Sequence, residues 1–129
     1  MNRRAINATD GPPAIGGYAQ AVELSGPVRT LYISGQIPET ASGHVPDAFD
    51  DQARLVWQQL IAQLHAAQMT TAHLVKVTTF LASREHADIN GAVRREVLGS
   101  HAPALTVIIC DIYDPRWLLE IEAIAAAPA

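Results

Sequence analysis

The sequence contains one cysteine and no long apolar run, and each shortage excludes a class of protein. A single cysteine, Cys110, cannot form a disulfide within the chain. Its apolar neighbours predict a buried, unreactive thiol, because apolar surroundings raise a thiol pKa. No apolar stretch approaches the ~20 residues of a membrane-spanning helix, and the polar, Gly/Pro-rich start lacks the apolar segment of a signal peptide. A cytoplasmic protein without membrane contact is therefore expected.

Positive charge is also scarce. Nine Lys and Arg stand against thirteen Asp and Glu, the net charge is -4, and Lys76 is the only lysine. Arg94 and Arg95 are adjacent, but on a helix neighbouring side chains point apart. A surface that follows nucleic-acid phosphates needs clustered positive charge. Nucleic acid is therefore not an expected partner.

Sequence motifs for metals, phosphates and activated nucleophiles are absent as well. No Gly-rich loop follows a strand and opens a helix, and no GxSxG motif occurs. The histidines are scattered without the spacing of metal ligands: His44, His65, His73, His86 and His101. Neither a metal nor a cofactor is expected.

The pattern of apolar residues predicts one domain, residues 1–129, that alternates strands with two helices. Turn residues at 25–27 would make a hairpin of the first two strands, and those at 113–116 join the last two. The predicted strands are Tyr18 to Leu24, Arg29 to Gly35, Leu74 to Ala82, Ala104 to Ile112 and Trp117 to Ala125.

Each predicted helix has a cap and an apolar stripe. Asp47 can cap the first helix and Ser83 the second, shorter one, which Gly99 can end. Apolar residues recur at helical spacing in the first helix (Phe49, Ala53, Val56, Leu60, Leu64, Ala67) and in the second (Ile89, Val93, Val97).

This order of elements predicts an α+β fold, in which one mixed sheet has both helices on one face. Nothing else in the chain can cover the other face, although its strands are apolar on both sides in places. An exposed apolar face of that size is typical of an interface. We therefore expect a closed oligomer whose sheets pack together.

Two carboxylates interrupt the apolar stretch at the end of the chain. On a strand, Glu120 and Glu122 point to the same face, because side chains alternate. The residues alone allow two interpretations. The glutamates are solvent-facing or structural groups, paired for instance with Lys76, or one is a cleft carboxylate that orients water or moves a proton. The residues alone favour the structural interpretation.

Several segments together resemble the Rid family, the reactive intermediate deaminases, also called YjgF-like proteins or L-PSP endoribonucleases. They are IGGYAQAV, LYISGQIPETASGHVP, QARLVWQQLIAQLHAAQMTTAHLVKVTTFLA, INGAV, HAPALTVI and EIEAIA, which together cover almost the whole chain. The resemblance implies a chorismate-mutase-like α+β fold and a homotrimer with three clefts between subunits. It also implies hydrolysis of small enamines and imines without a metal or cofactor.

The resemblance further assigns candidate site residues. Glu120 matches the glutamate that positions water and is the candidate catalytic residue. The substrate would be bound by Tyr18, Ser34, Gly35 and Asn90, together with Leu105 and Thr106 after the Pro-Ala pair.

Two departures from the family pattern bear on activity. Leu105 stands where the deaminases have an arginine that grips the substrate carboxylate, and leucine cannot make that contact. Gly17 stands where the family usually has proline. Arg29, Arg94 and Arg95 could substitute only if a trimer brings one into a neighbouring cleft, and Arg116 lies too far along the last hairpin.

Three functional hypotheses follow from these residues. The first is a trimer that binds a small metabolite between subunits, as an enamine or imine deaminase with an altered substrate. The second is a non-catalytic ligand-binding or regulatory homologue. The third, a ribonuclease, is disfavoured by the acidic balance of the chain.

Overall fold

A computed structural model describes residues 1–129 as a four-stranded mixed sheet, two helices and a separate two-stranded ribbon. Two single-turn 3-10 helices precede the fourth strand and the second helix. The elements are β1 (Asn2–Ile6), β2 (Ala21–Ser25), β3 (Val28–Gln36), α1 (Phe49–Ala66), β4 (Leu74–Leu81), α2 (Ala87–Leu98), β5 (Ala104–Ile109) and β6 (Leu119–Pro128). The predicted α+β fold with a mixed sheet is confirmed.

The main sheet has the strand order β3-β6-β4-β5. β6 is antiparallel to both of its neighbours, and β4 runs parallel to β5. Alternate residues of β6, such as Leu119 and Ile121, are fully buried because they point towards the helices. The side chains between them face the side of the sheet that carries no helix.

The apolar stripe of α1 is confirmed, whereas that of α2 is rotated from the prediction. Val93 is buried, but Ile89 is 46% exposed and Val97 only half-buried. The helix instead buries two polar side chains, Asn90 and Arg94. The sequence pattern failed here because it assumed that the buried face of a helix is its apolar face.

Two predicted helix ends differ from the structure and one agrees. Ala48, rather than Asp47, precedes α1, and no side chain caps this helix. Ser83 accepts a hydrogen bond from Glu85 N in the short 3-10 helix before α2, so it caps that turn instead. Gly99 ends α2 with φ +58°, a backbone conformation that favours glycine.

Both predicted hairpins are wrong in their pairing. The turn at 25–27 connects β2 to β3, but β2 pairs with β1, a strand that the sequence did not indicate. β5 and β6 are not neighbours, because β4 lies between them. Residue propensities identify a turn, but they do not identify the strand with which the next strand pairs.

Neither helix has the length and apolar character that crossing a membrane requires.

Candidate functional site

Glu120 lies near the start of β6, on the sheet face that carries no helix. Buried Leu119 and Ile121 flank it, so the alternation of the strand turns its carboxylate to the opposite side. In the sheet it is opposite Phe80 of β4. The predicted orientation of Glu120 and Glu122 on one face is therefore reproduced.

Gly35 leaves the space that this carboxylate occupies. The pairing of β3 with β6 shifts between Ile33 and Gln36, and Gly35 lies within the irregular segment. A Cβ atom on Gly35 would overlap Oε2 of Glu120. Glycine in a strand often marks such a close approach. Two residues that the resemblance assigned to one site are thus in direct contact.

Burial raises the pKa of the Glu120 carboxyl above its usual value, and the negative charge of Glu122 raises it further. The structural ion pair that the sequence left open is not formed. The Lys76 ammonium donates to the hydroxyl of Thr106 at 2.6 Å instead, and no salt bridge involves either glutamate. A carboxylate with a raised pKa is the stronger base.

A cavity of about 220 Å³ opens beside Glu120. Its other walls are Phe80 and residues 110–113, the segment that follows β5. The prediction of a buried Cys110 is wrong, because β5 ends at Ile109 and leaves the half-buried thiol at this cavity. The wall is mainly apolar and carries two carboxylate residues, Glu120 and Asp111, which suits a small ligand.

A second cavity, of about 430 Å³, lies between α2, the loop around Gly16 and β5. Asn90 and Arg94 lie one turn apart on α2 and are only 3% and 8% exposed. Arg94 Nη2 donates to the Gly16 carbonyl at 3.0 Å. Arg95 is exposed, as expected for a neighbour that points elsewhere, yet both arginines border this cavity. The four-residue spacing of Asn90 and Arg94, which places both on one face of a helix, is the signal that sequence reasoning missed.

Gly17 also belongs to this loop, and its φ is +81°. Proline is held near φ -65° and cannot adopt that conformation. The loop of this chain therefore differs in backbone geometry from one with proline at position 17. The carbonyl that accepts the hydrogen bond from Arg94 belongs to Gly16, the residue just before Gly17.

Leu105 and Thr106 do not share one site within the chain. Leu105 pairs with Val77 and packs against the hydrophobic core on the helix side. Thr106 points to the helix-free face, where it accepts the hydrogen bond from Lys76. Consecutive strand residues must face opposite ways, so the grouping of the two in one ligand site fails within a single chain.

Ser34 and Tyr18 lie apart from both cavities. Ser34 is exposed beside Tyr32 at the free edge of β3, where a hollow of about 300 Å³ also contacts Gln63 of α1. Tyr18 borders a different hollow with residues of the 7–14 segment. One cleft that contains all the predicted site residues is therefore not present within one chain.

The candidate residues thus divide into two sets on opposite faces of the sheet. Glu120 and Gly35 lie on the helix-free face. Asn90 and Arg94 lie on α2, which packs on the other face, where Val107 also points into their cavity. The sheet separates the two sets, so they could act on one ligand only if a second chain completes each site.

The other arginines named as substitutes have partners of their own. Arg29 donates to the carbonyl oxygens of Ala67 and Gln68, and Arg116 forms an ion pair with Asp114 at 2.9 Å. No group of three or more His, Cys, Asp and Glu side chains has the arrangement of a metal site.

The mixed sheet, its two helices on one face and the glutamate beside a strand glycine are those of a small α+β protein of the YjgF type. The chain belongs to the family described as endoribonuclease L-PSP, whose model matches residues 8–127. A mouse relative named 2-iminobutanoate/2-iminopropanoate deaminase is 32% identical, over 95% of this chain and 90% of its own.

Solved structures agree with this assignment. YyfB from Yersinia pestis, described as a member of the conserved Rid protein family, is 31% identical with a TM-score of 0.84, over 98% of this chain and all of its own. TdcF from E. coli, solved with bound serine, is 30% identical with a TM-score of 0.71, over 96% of this chain and 98% of its own. The predicted Rid-family membership is confirmed.

Proposed function

We propose that the protein hydrolyses the carbon–nitrogen bond of a small enamine or imine, and that Glu120 positions the attacking water. The observation that supports this is the half-buried Glu120 carboxylate, with its raised pKa, beside a cavity of about 220 Å³. Water adds to the imine carbon as Glu120 accepts its proton. That proton passes to nitrogen and gives a carbinolamine. The hydroxyl proton of the carbinolamine then moves through Glu120 to the same nitrogen, the C–N bond breaks, and a carbonyl compound and ammonia leave. An enamine reaches the same imine when a proton moves from its nitrogen to its carbon.

Two relatives support the substrate class. The mouse relative is named for its action on 2-iminobutanoate and 2-iminopropanoate, both small imino acids. TdcF was solved with serine, a ligand of similar size. A substrate about as large as a small amino acid also fits the volume beside Glu120.

A second candidate function is non-catalytic ligand binding or regulation. Leu105 favours it, because this residue packs into the core and offers no hydrogen bond where the deaminases have arginine. Ribonuclease activity, which the family description names, has less support. Thirteen acidic residues outnumber nine basic ones, whereas binding of a phosphate backbone depends on clustered basic residues.

The remaining expectations belong to the same proposal. We propose a homotrimer whose clefts lie between subunits, a cytoplasmic location, no metal or cofactor in the reaction, and no nucleic-acid or membrane partner. The division of the site residues between two faces of the sheet supports the shared clefts.

The test is a panel of 2-imino acids that an amino-acid oxidase generates in situ from small and aromatic amino acids. Each imine is trapped as its semicarbazone, and the protein should lower the yield by converting the imine to the oxo acid first. Glu120→Gln should remove at least about 99% of this activity, because the general base is lost.

Glu122→Gln is the matched control, since it removes an equal charge from the same face of β6. It should retain activity, because the Glu120 carboxylate remains in place beside its cavity. Ligand binding without turnover by the wild type on the whole panel would instead support the non-catalytic function. Equal activity of Glu120→Gln and wild type would exclude the proposed role of Glu120.

A further inference from the structure

The guanidinium of Arg94 is buried without an anionic partner. Arg94 is 8% exposed, and its one hydrogen bond, to the Gly16 carbonyl, uses one of the five N–H groups of the guanidinium. No salt bridge involves Arg94 or Arg95. Buried charges in proteins are normally paired, so Arg94 lacks the partner that an anionic ligand would supply.

Asn90 adds a neutral group to the same cavity. Asn90 is only 3% exposed. It lines the cavity together with Arg94, which lies one helical turn away. None of the side-chain hydrogen bonds of the chain uses its amide, and its polar atoms are not enclosed by protein. An amide that is buried and unpartnered at a cavity is available to a ligand.

Burial of its guanidinium, followed by the charge of Arg95, lowers the pKa of Arg94. The two cations therefore interact, although they are consecutive on a helix. Asp88 also borders the cavity but forms no ion pair with either arginine. An anion bound between the two arginines would relieve their mutual repulsion.

We propose that Arg94, Arg95 and Asn90 form a binding site for the carboxylate of a small organic acid. Arg94 supplies the planar, charge-assisted contact, Arg95 a second positive charge, and Asn90 an amide donor. The site would take over the anchoring that Leu105 cannot provide. The inference rests on the proposed function only where it identifies this organic acid with the substrate.

Binding to the full chain is measured calorimetrically for pyruvate, 2-oxobutanoate and phenylpyruvate. Each acid is compared with its own neutral primary amide. At least one acid should bind, and at least about tenfold more tightly than its amide, because a charge-assisted contact is lost in the amide. Raising the salt concentration should weaken binding of the acid and leave the amide unchanged.

Three variants locate the site. Arg95→Gln changes an exposed residue, Arg94→Lys keeps the charge but loses the planar fork, and Asn90→Asp adds a negative charge in an equal volume. Each variant should bind the acid at least about fivefold more weakly than the wild type does, while its affinity for the amide changes little. Arg84→Gln is the control, because Arg84 is exposed and borders none of the cavities, and it should bind the acid as the wild type does.

Wild-type affinity in folded Arg95→Gln and Asn90→Asp would overturn the proposal, and so would equal binding of acid and amide or no binding of any acid. In that case Arg94 only fixes the loop at Gly16. Failure of Arg94→Lys to fold leaves the other two variants decisive. The wild type separates this site from the catalytic proposal, because binding of the acid without turnover of any imine would support the site and contradict only the catalytic role of Glu120.

Discussion

The Glu120 carboxylate occupies the position that the Cβ atom of any other residue at position 35 would take. The overlap involves the far end of a flexible side chain, so the carboxylate can swing away while the backbone remains in place. A larger residue at position 35 would therefore move the proposed catalytic group without removing it. A substitution at position 35 therefore tests the position of the Glu120 carboxylate, whereas Glu120→Gln tests its presence.

Gly35→Ala should lower kcat/KM for imine hydrolysis at least about tenfold, because a displacement near 1 Å costs a positioned group much of its effect. The melting temperature should change little. Gly11→Ala is the control, since a Cβ on Gly11 meets nothing within 4 Å. Full activity in folded Gly35→Ala would show that the observed position of Glu120 is not the productive one.

The raised pKa of Glu120 also predicts how stability depends on pH. Its ordinary value is 4.5, and burial followed by Glu122 raises it in the folded chain. Folding then favours the protonated form, so the contribution of Glu120 is fully present below the unfolded pKa and is lost as pH rises through the folded pKa.

Glu120→Gln should therefore melt above the wild type at pH 7 to 8, with a difference that shrinks towards zero as the pH falls to about 4. Thermal unfolding followed by circular dichroism at several pH values measures this difference. Glu122→Gln should shift the acid limb of the rate profile to lower pH, because the second cause of the raised pKa is removed. A melting difference independent of pH would contradict the assigned burial of the charge.

At the scale of elements, the sequence predicted those helices and strands whose buried side is apolar. The stripe of α1 and the alternation of β6 are examples. α2 could not be predicted as well, because buried Asn90 and Arg94 look like surface residues in a sequence. β1 was missed because four of its five residues are exposed, so it has no apolar period to detect.

The candidate site was predictable only where each of its residues belongs to a segment that the sequence itself identifies. Gly35 and Glu120 were named through the family resemblance, and the register of β3 on β6 brings them together. That Leu105 and Thr106 face opposite ways follows from strand alternation alone. That Arg94 contacts the Gly16 loop could not be read from the sequence, because the contact spans 78 residues.

Gln52 of α1 connects two loops and is an element-scale feature. It is 1% exposed, and its amide nitrogen donates to the carbonyl oxygens of Pro46 and Arg116 at 2.7 and 2.9 Å. Its amide oxygen accepts from Leu118 N at 2.8 Å. This one side chain thereby ties the segment before α1 to the turn that leads into β6 and Glu120.

Gln52→Met should lower the free energy of unfolding by about 3 kcal/mol, because three hydrogen bonds are lost and buried backbone groups remain unpaired. Urea unfolding at one fixed protein concentration measures the loss. Gln58→Met, on the exposed side of the same helix, should change stability by less than about 0.5 kcal/mol. Similar stability of both variants would show that backbone contacts alone hold the two loops.

At the scale of the whole molecule, the sheet divides the two sets of site residues and has one face without helices. On that face Tyr32 is 76% exposed and Ile108 43% exposed. Exposed apolar side chains on a sheet face favour association with another chain. A closed ring of identical chains would pair the Glu120 side of each with the Asn90 side of the next, since such contacts are head-to-tail.

Mixing inactive variants tests this arrangement directly. Glu120→Gln and Asn90→Asp should each be inactive as pure proteins. Light scattering should first show about three times the chain mass of 13.8 kDa. After co-expression in equal amounts, about one quarter of the clefts in a randomly mixed trimer would join an intact Glu120 to an intact Asn90 from the neighbouring chain.

Activity of the mixed trimers should therefore recover to about one quarter of the wild-type value, since each head-to-tail cleft draws one side from each of two chains. A double variant carrying both changes, mixed with wild type, is the matched control and should also give about one quarter, because two adjacent wild-type chains are then needed. Native mass spectrometry must find mixed trimers in both samples. If they form and the complementing pair stays inactive while the control is active, each site lies within one chain, and the sheet does not divide it as the fold indicates.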